Sequence, residues 1–168
     1  GLAKSNQDAV FLDSTGRAYS IACHTLPTAR GQGEPLTGRL NPPSGAFFTG
    51  LVTGERASQF LLSSDAGYGY IASMEDMITK NKAGKSQISV PKGGVVLQPA
   101  PVTDIKHEYV AAFSNEGRLL IFPLEELPVM ARGKGVKIMS IPPARLKDRV
   151  EMMSHLLVFS EVDTIVVQ

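Results

Sequence analysis

The chain has 168 residues, 43% of them hydrophobic, and a formal net charge of +1, which suits one folded domain or several small repeats sharing a core. A single cysteine, Cys23, excludes an internal disulfide framework and fits a reducing cytoplasm; within its apolar stretch it reads as buried and inert. Apolar runs such as Leu119–Phe122 are far too short to cross a bilayer, and no basic-then-apolar segment reads as a signal peptide.

The elements come in a recurring order. The apolar run Ala9–Leu12, the turn Asp13-Ser14-Thr15-Gly16 and the returning run Ala18–Ala22 predict a hairpin with Gly16 in a left-handed conformation. A connector (Thr25-Leu26-Pro27), a basic segment (Arg30-Gly31-Gln32-Gly33), the stop Pro42-Pro43 and a strand over Phe47–Val52 follow. The second round runs Phe60–Leu62, a turn ending at Gly67, Tyr68–Ala72, the connector Met74–Met77 and the basic segment Lys80–Lys85. Strands over Gln87–Val90 and Val95–Gln98 complete it. The third runs Val110–Phe113, a turn ending at Gly117, Leu119–Phe122, Leu124–Pro128, Arg132–Gly135 and a strand over Lys137–Ile141 before Pro142-Pro143. Leu156–Ser160 resembles Val110–Ser114, and Thr164–Val167 suits its return strand. The expectation is a fourth blade cut off after one hairpin, in a fragment of a larger chain.

Three landmarks keep one period. The turn glycines fall at 16, 67 and 117, a second set at 33, 84 and 135, and Leu26, Met77 and Leu127 keep step with both, about fifty residues apart. Such a period means stacked supersecondary units, none able to bury its apolar faces alone. Four short strands per unit, apolar on both alternating faces, predict an all-β fold of propeller-like, four-stranded antiparallel blades. The blades fall at 9–58, 59–108 and 109–154, with a partial blade at 155–168.

Net charge alone argues against nucleic acid, but its distribution matters more. From Lys80 to Lys92 there are four lysines and no acid. From Met130 to Pro143 there are Arg132, Lys134 and Lys137, again with no acid. The acids Glu75-Asp76 and Glu125-Glu126 lie just before these stretches. One edge of every unit is thus expected to be positive while the whole stays near neutral. Cations there release counterions from a phosphate backbone, and glycines let backbone amides approach phosphate oxygens. The alternative is a solvated turn that keeps sheet edges from pairing. Repetition in register favours phosphate contact.

Several strings resemble the C-terminal domain of the bacterial topoisomerase IV A subunit. They are Gly31-Gln32-Gly33-Glu34-Pro35-Leu36-Thr37-Gly38-Arg39-Leu40, Ser64-Asp65-Ala66-Gly67-Tyr68-Gly69, Lys82-Ala83-Gly84-Lys85, Gly133-Lys134-Gly135-Val136-Lys137-Ile138 and Ile141-Pro142. The resemblance implies a β-pinwheel whose outer rim binds and bends duplex DNA. It also implies a bacterial cytoplasmic, nucleoid-associated enzyme, with the remainder of the A subunit, together with a separate ATPase chain, as partners. The related gyrase A subunit carries a Gln-basic-basic-Gly-Gly-basic-Gly box that supports wrapping. Here only degenerate versions stand at Arg30–Gly33, Lys80–Lys85 and Arg132–Gly135, which favours topoisomerase IV over gyrase.

The expected DNA contacts are Arg30, Arg39, Lys80, Lys82, Lys85, Arg132, Lys134 and Lys137, with Gly31, Gly33, Gly84, Gly133 and Gly135 shaping the loops. Arg145, Lys147 and Arg149 form a further basic cluster that Asp148 and Glu151 interrupt, which suits a solvated loop or helix turn. No base-reading device is visible, so specificity is expected from shape. Gly84-Lys85-Ser86 mimics a nucleotide-binding loop, but that motif needs a glycine where Thr79 stands. His24, His107 and His155 are far apart and lack metal-ligand spacing. Tyr19, Tyr68, Tyr70 and Tyr109 read as strand core. No cofactor, metal site or catalytic residue is expected. Two other readings stay open: a protein-interaction propeller whose DNA binding is incidental, and, with least support, a stand-alone enzyme.

Overall fold

The computed structural model describes residues 7–22 and 40–161. Eleven strands dominate them. β1 (Asp8–Asp13), β2 (Arg17–Ala22) and β3 (Phe48–Gly54) come from the first repeat. β4 (Gln59–Ser63), β5 (Tyr68–Ser73), β6 (Lys85–Ser86) and β7 (Ala100–Val102) come from the second. β8 (Glu108–Ser114), β9 (Leu119–Pro123), β10 (Val136–Lys137) and β11 (Met153–Ser160) complete the set. Among the described residues, helix is confined to the turn Met74–Met77, a 3-10 turn at Leu124–Glu126 and the short segment Pro143–Lys147.

The strands form three antiparallel sheets, ordered β3-β1-β2-β6, β10-β5-β4-β7 and β11-β8-β9. This is the all-β blade architecture that the period predicts: the first two sheets reach four strands by exchange between repeats, and the third has three among the described residues. β6 belongs in sequence to the second repeat yet pairs with β2 of the first, with Ala18 opposite Lys85. β10 belongs to the third and pairs with β5 of the second, with Gly69 opposite Val136. A sheet therefore lacks an edge strand until its successor arrives, which couples neighbouring repeats as in other stacked-repeat architectures.

Several strands differ from expectation. The third strands are two residues each, because the chain leaves the ladder after Ser86 and after Lys137 to bury Ile88, Ile138 and Met139 between sheets. In place of a strand over Val95–Gln98 there is one bridge, Val96 to Ser64, and β7 forms only beyond Pro99. Pro101 is tolerated in β7 because that strand is a sheet edge, where a missing N–H costs no ladder bond. Leu156–Ser160 does not open a separate blade. It lies in β11, paired with β8 from Ser114 to Glu108. It takes the place in the third sheet that β3 takes beside β1 and β7 beside β4. Thr164–Val167 lie outside the described residues.

Burial explains the two-faced apolar strands. Phe60, Leu62, Tyr70 and Ala72 face the first sheet and pack with Val10, Leu12, Ala18 and Val52. Leu61 and Ile71, one residue out of phase, face the third sheet and pack with Val110, Ala112, Leu124 and Met139. The middle sheet is thus filled on both sides, and each such large side chain contributes about 1.5–3 kcal/mol through burial.

Candidate nucleic-acid interface

Each hairpin turn is built the same way and holds the chain that returns to it. The residue two before the turn glycine exchanges bonds with the segment that leads into the edge strand. Ser14 N donates to Phe47 O, and Ser14 Oγ accepts from Phe47 N. Asp65 does this with Val95, and Asn115 with Met152. The turn glycine then receives the next repeat: Gly16 O accepts from the amides of Gln87 and Ile88, and Gly67 O from those of Ile138 and Met139.

These contacts fix where the basic loops run. Each passes along the outer edge of a return strand, β2 or β5, and enters β6 or β10 through a glycine with positive φ: Gly84 at 74° and Gly135 at 81°. A Cβ on Gly84 would lie 2.8 Å from Ala18 O, and one on Gly135 2.1 Å from Gly69 O. Both loops therefore sit at the same place on successive sheets. They also meet: Gly133, at a φ of 124°, donates to Gln87 O and accepts from Ser89 N just beyond the preceding loop's strand.

The expected contact residues divide by what holds them. Lys80, Lys82 and Lys137 are exposed and take part in no ion pair among the described residues. Lys134 is exposed, with its ammonium 4.0 Å from the centre of the Tyr68 ring, a cation–π contact. Lys85 turns inward and donates to Asp76 O; burial lowers its pKa, with Asp76 opposing the shift. Arg132 shares with Lys85, Glu75 and Asp76 the lining of a cleft of about 320 Å³. The acids that the sequence separates from the cations are there brought back beside two of them. Arg30, Gly31, Gly33 and Arg39 lie outside the described residues, as do Cys23 and His24.

The residue after each turn glycine also belongs to this edge. Arg17 Nε donates to Ala83 O and its Nη2 to Gly84 O, each at 2.9 Å. Tyr68, one repeat on, carries Lys134 on its ring instead. Arg118 donates Nε to Glu151 Oε2 at 2.7 Å and Nη2 to Ser140 O at 2.6 Å. Their spacing from the turn glycines was the available sequence clue. In the interrupted cluster, Arg145 lies 3.4 Å from Glu116 and 3.6 Å from Glu151, and Arg149 lies 2.7 Å from the buried Asp65. Two of its three cations therefore pair with acids. Gly84-Lys85-Ser86 feeds an antiparallel strand and not a helix. Among the described residues no helix is long and apolar enough to cross a membrane.

Comparison with known proteins places these features. A family model described as DNA gyrase C-terminal domain, beta-propeller, matches residues 108–160. The DNA topoisomerase 4 A subunit of Pseudomonas aeruginosa is 48% identical over 165 residues, covering 98% of this chain and 22% of that protein. The chain thus spans about a fifth of the length of the curated relatives it matches. The solved C-terminal domain of E. coli ParC superposes with a TM-score of 0.87 at 41% identity, covering 94% of this chain and 64% of that one. A solved DNA gyrase A C-terminal domain, at 16% identity and a TM-score of 0.69 over 93% of this chain and 49% of that one, shares the fold.

Proposed function

The chain belongs to the family of C-terminal domains of the topoisomerase IV A subunit, and from that premise we propose that it binds duplex DNA and bends it without reading sequence. One observation carries the proposal. Exposed cations on two glycine-bent loops stand at equivalent places on successive sheets, joined by the bonds between Gly133 and the Gln87–Ser89 segment. Lys80, Lys82, Lys134 and Lys137 are the phosphate contacts, and Arg132 a weaker one because it shares its cleft with Glu75 and Asp76. Lys85 acts as an interior latch. Stacked repeats are each rotated slightly relative to the one before, so a duplex in contact with both loops must curve. In the longer protein, the bent duplex would be presented to the strand-passing parts of the enzyme and to its ATPase partner.

The test is a titration with random-sequence duplex over a series of salt concentrations. The expected result is affinity that falls steeply with salt. The triple variant Lys80→Ala, Lys82→Ala, Lys134→Ala should flatten the log–log slope by up to about 2.7, at ~0.9 per lost contact. Unchanged slope and affinity in the triple variant would sink the proposal. A sharp bend should also bring the ends of a short labelled duplex closer, read by energy transfer.

A further inference from the structure

A cleft of about 650 Å³ lies between the second and third hairpin turns and shares only Lys137 with the expected duplex contacts. Tyr68 and Lys137 line it from the second sheet, where they are register partners. Arg118, Arg145 and Glu116 line it from the third repeat, above an apolar floor that includes Pro142. We propose that this cleft binds a phosphorylated, unpaired nucleotide, with the base stacked on Tyr68 and the phosphate between Lys137 and Arg145.

Three features point there. Tyr68 is half-buried and lines the cleft, while Lys134, whose ammonium rests on its ring, is not part of that lining. A base has a π-face whatever its identity, and stacking on an aromatic side chain is worth about 1–3 kcal/mol. The volume falls within the ~300–1,000 Å³ of small-molecule sites. The charges suit one phosphate. Three cations (Arg118, Lys137, Arg145) face two carboxylates (Glu116, Glu151). Glu151 is already held by Arg118 and Ser114. Arg145, at 3.4 and 3.6 Å from its acids, keeps loose partners, and Lys137 has no ion pair among the described residues.

The inference goes beyond duplex binding, since a paired base cannot reach Tyr68. The shared ligand chemistry, a base with its phosphate, has two sources: a free mononucleotide, or an unpaired nucleotide at the end of a DNA strand. The test measures binding of dAMP, deoxyadenosine, ribose 5-phosphate and inorganic phosphate by ligand-observed NMR. Alongside it, duplexes with blunt ends and with short single-stranded overhangs are titrated. dAMP should bind more tightly than either half alone. Tyr68→Ala should weaken it by about 5- to 150-fold, the conversion of the stacking energy. Lys137→Ala should weaken dAMP and leave deoxyadenosine unchanged, while Tyr68→Phe, which preserves ring and packing, should retain binding. A preference for overhangs that Tyr68→Ala abolishes assigns the source to DNA ends; dAMP binding without that preference assigns it to free nucleotide. The inference is overturned if dAMP binds no better than ribose 5-phosphate, or if Tyr68→Ala binds dAMP like the unaltered chain. Lys80→Ala with Lys82→Ala separates the two readings: duplex affinity falls there while dAMP binding stays.

Discussion

Gly16, Gly67 and Gly117 close the same turn in three successive hairpins, with φ of 96°, 90° and 85°, yet they live in different surroundings. The first two carry the next repeat's backbone on their carbonyls; a Cβ would lie 1.9 Å from Ile88 O at Gly16 and 2.2 Å from Met139 O at Gly67. At Gly117 no described residue stands within 4 Å of that position. The return strands differ in the same way. β2 and β5 are bordered by β6 and β10, whereas β9 is an edge among the described residues, with Leu119, Leu120 and Ile121 exposed. A single sequence landmark thus does two jobs, permitting a turn and admitting a neighbour, and only the first two copies do both.

The largest expected effect separates these jobs. Gly67→Ala should lower stability by about 4 kcal/mol or more, because left-handed strain adds to a clash with rigid backbone. Gly117→Ala should cost only the strain, about 1–2 kcal/mol. Thermal or denaturant unfolding followed by circular dichroism checks both, and equal losses would break the comparison. Next comes packing. Leu62→Ala, fully buried between the first two sheets, should cost about 2–5 kcal/mol, and Ile121→Ala on the open strand within about 0.5 kcal/mol. Smaller still is the clasp. Arg17→Ala removes two hydrogen bonds to the Ala83–Gly84 turn and should cost about 1 kcal/mol, seen as faster amide exchange in the Lys80–Gly84 loop.

The third sheet has its own pH signature. The Arg118 guanidinium beside Glu151 holds its carboxyl below the usual carboxylate range, helped by Ser114 and Arg145 against burial. The native state thus binds that proton less readily than the unfolded chain. The stabilisation is present above the ordinary carboxylate pKa and fades as pH falls through the lowered native value. Glu151→Gln should flatten the acid side of a stability-versus-pH curve. An acid limb as steep as before would remove Glu151 from the account.

Periodicity made the hairpins and the stacking legible, because turn glycines and two-faced apolar strands are local signatures. It could not show that Lys85–Ser86 and Val136–Lys137 complete the preceding sheets, since pairing partners lie outside any local window. For the same reason Leu156–Ser160 read as a new blade: its apolar pattern matches β8, and only the ladder reveals that it closes the same sheet. Loop cations were legible as a set but not one by one. Lys85 and Lys82 look alike in sequence, yet one is drawn onto Asp76 O and the other left in solvent. The clasping roles of Arg17 and Arg118 are not legible in the sequence, because a lone arginine after a glycine carries no motif.

The most direct test of the central claim is lysine reactivity read by mass spectrometry with and without random-sequence duplex. The account predicts protection of Lys80, Lys82, Lys134 and Lys137, and none of Lys106, which is exposed on the turn between β7 and β8, at the end of the third sheet away from its hairpin turn. Protection spread evenly over all of these lysines, or strongest at Lys106, would contradict it.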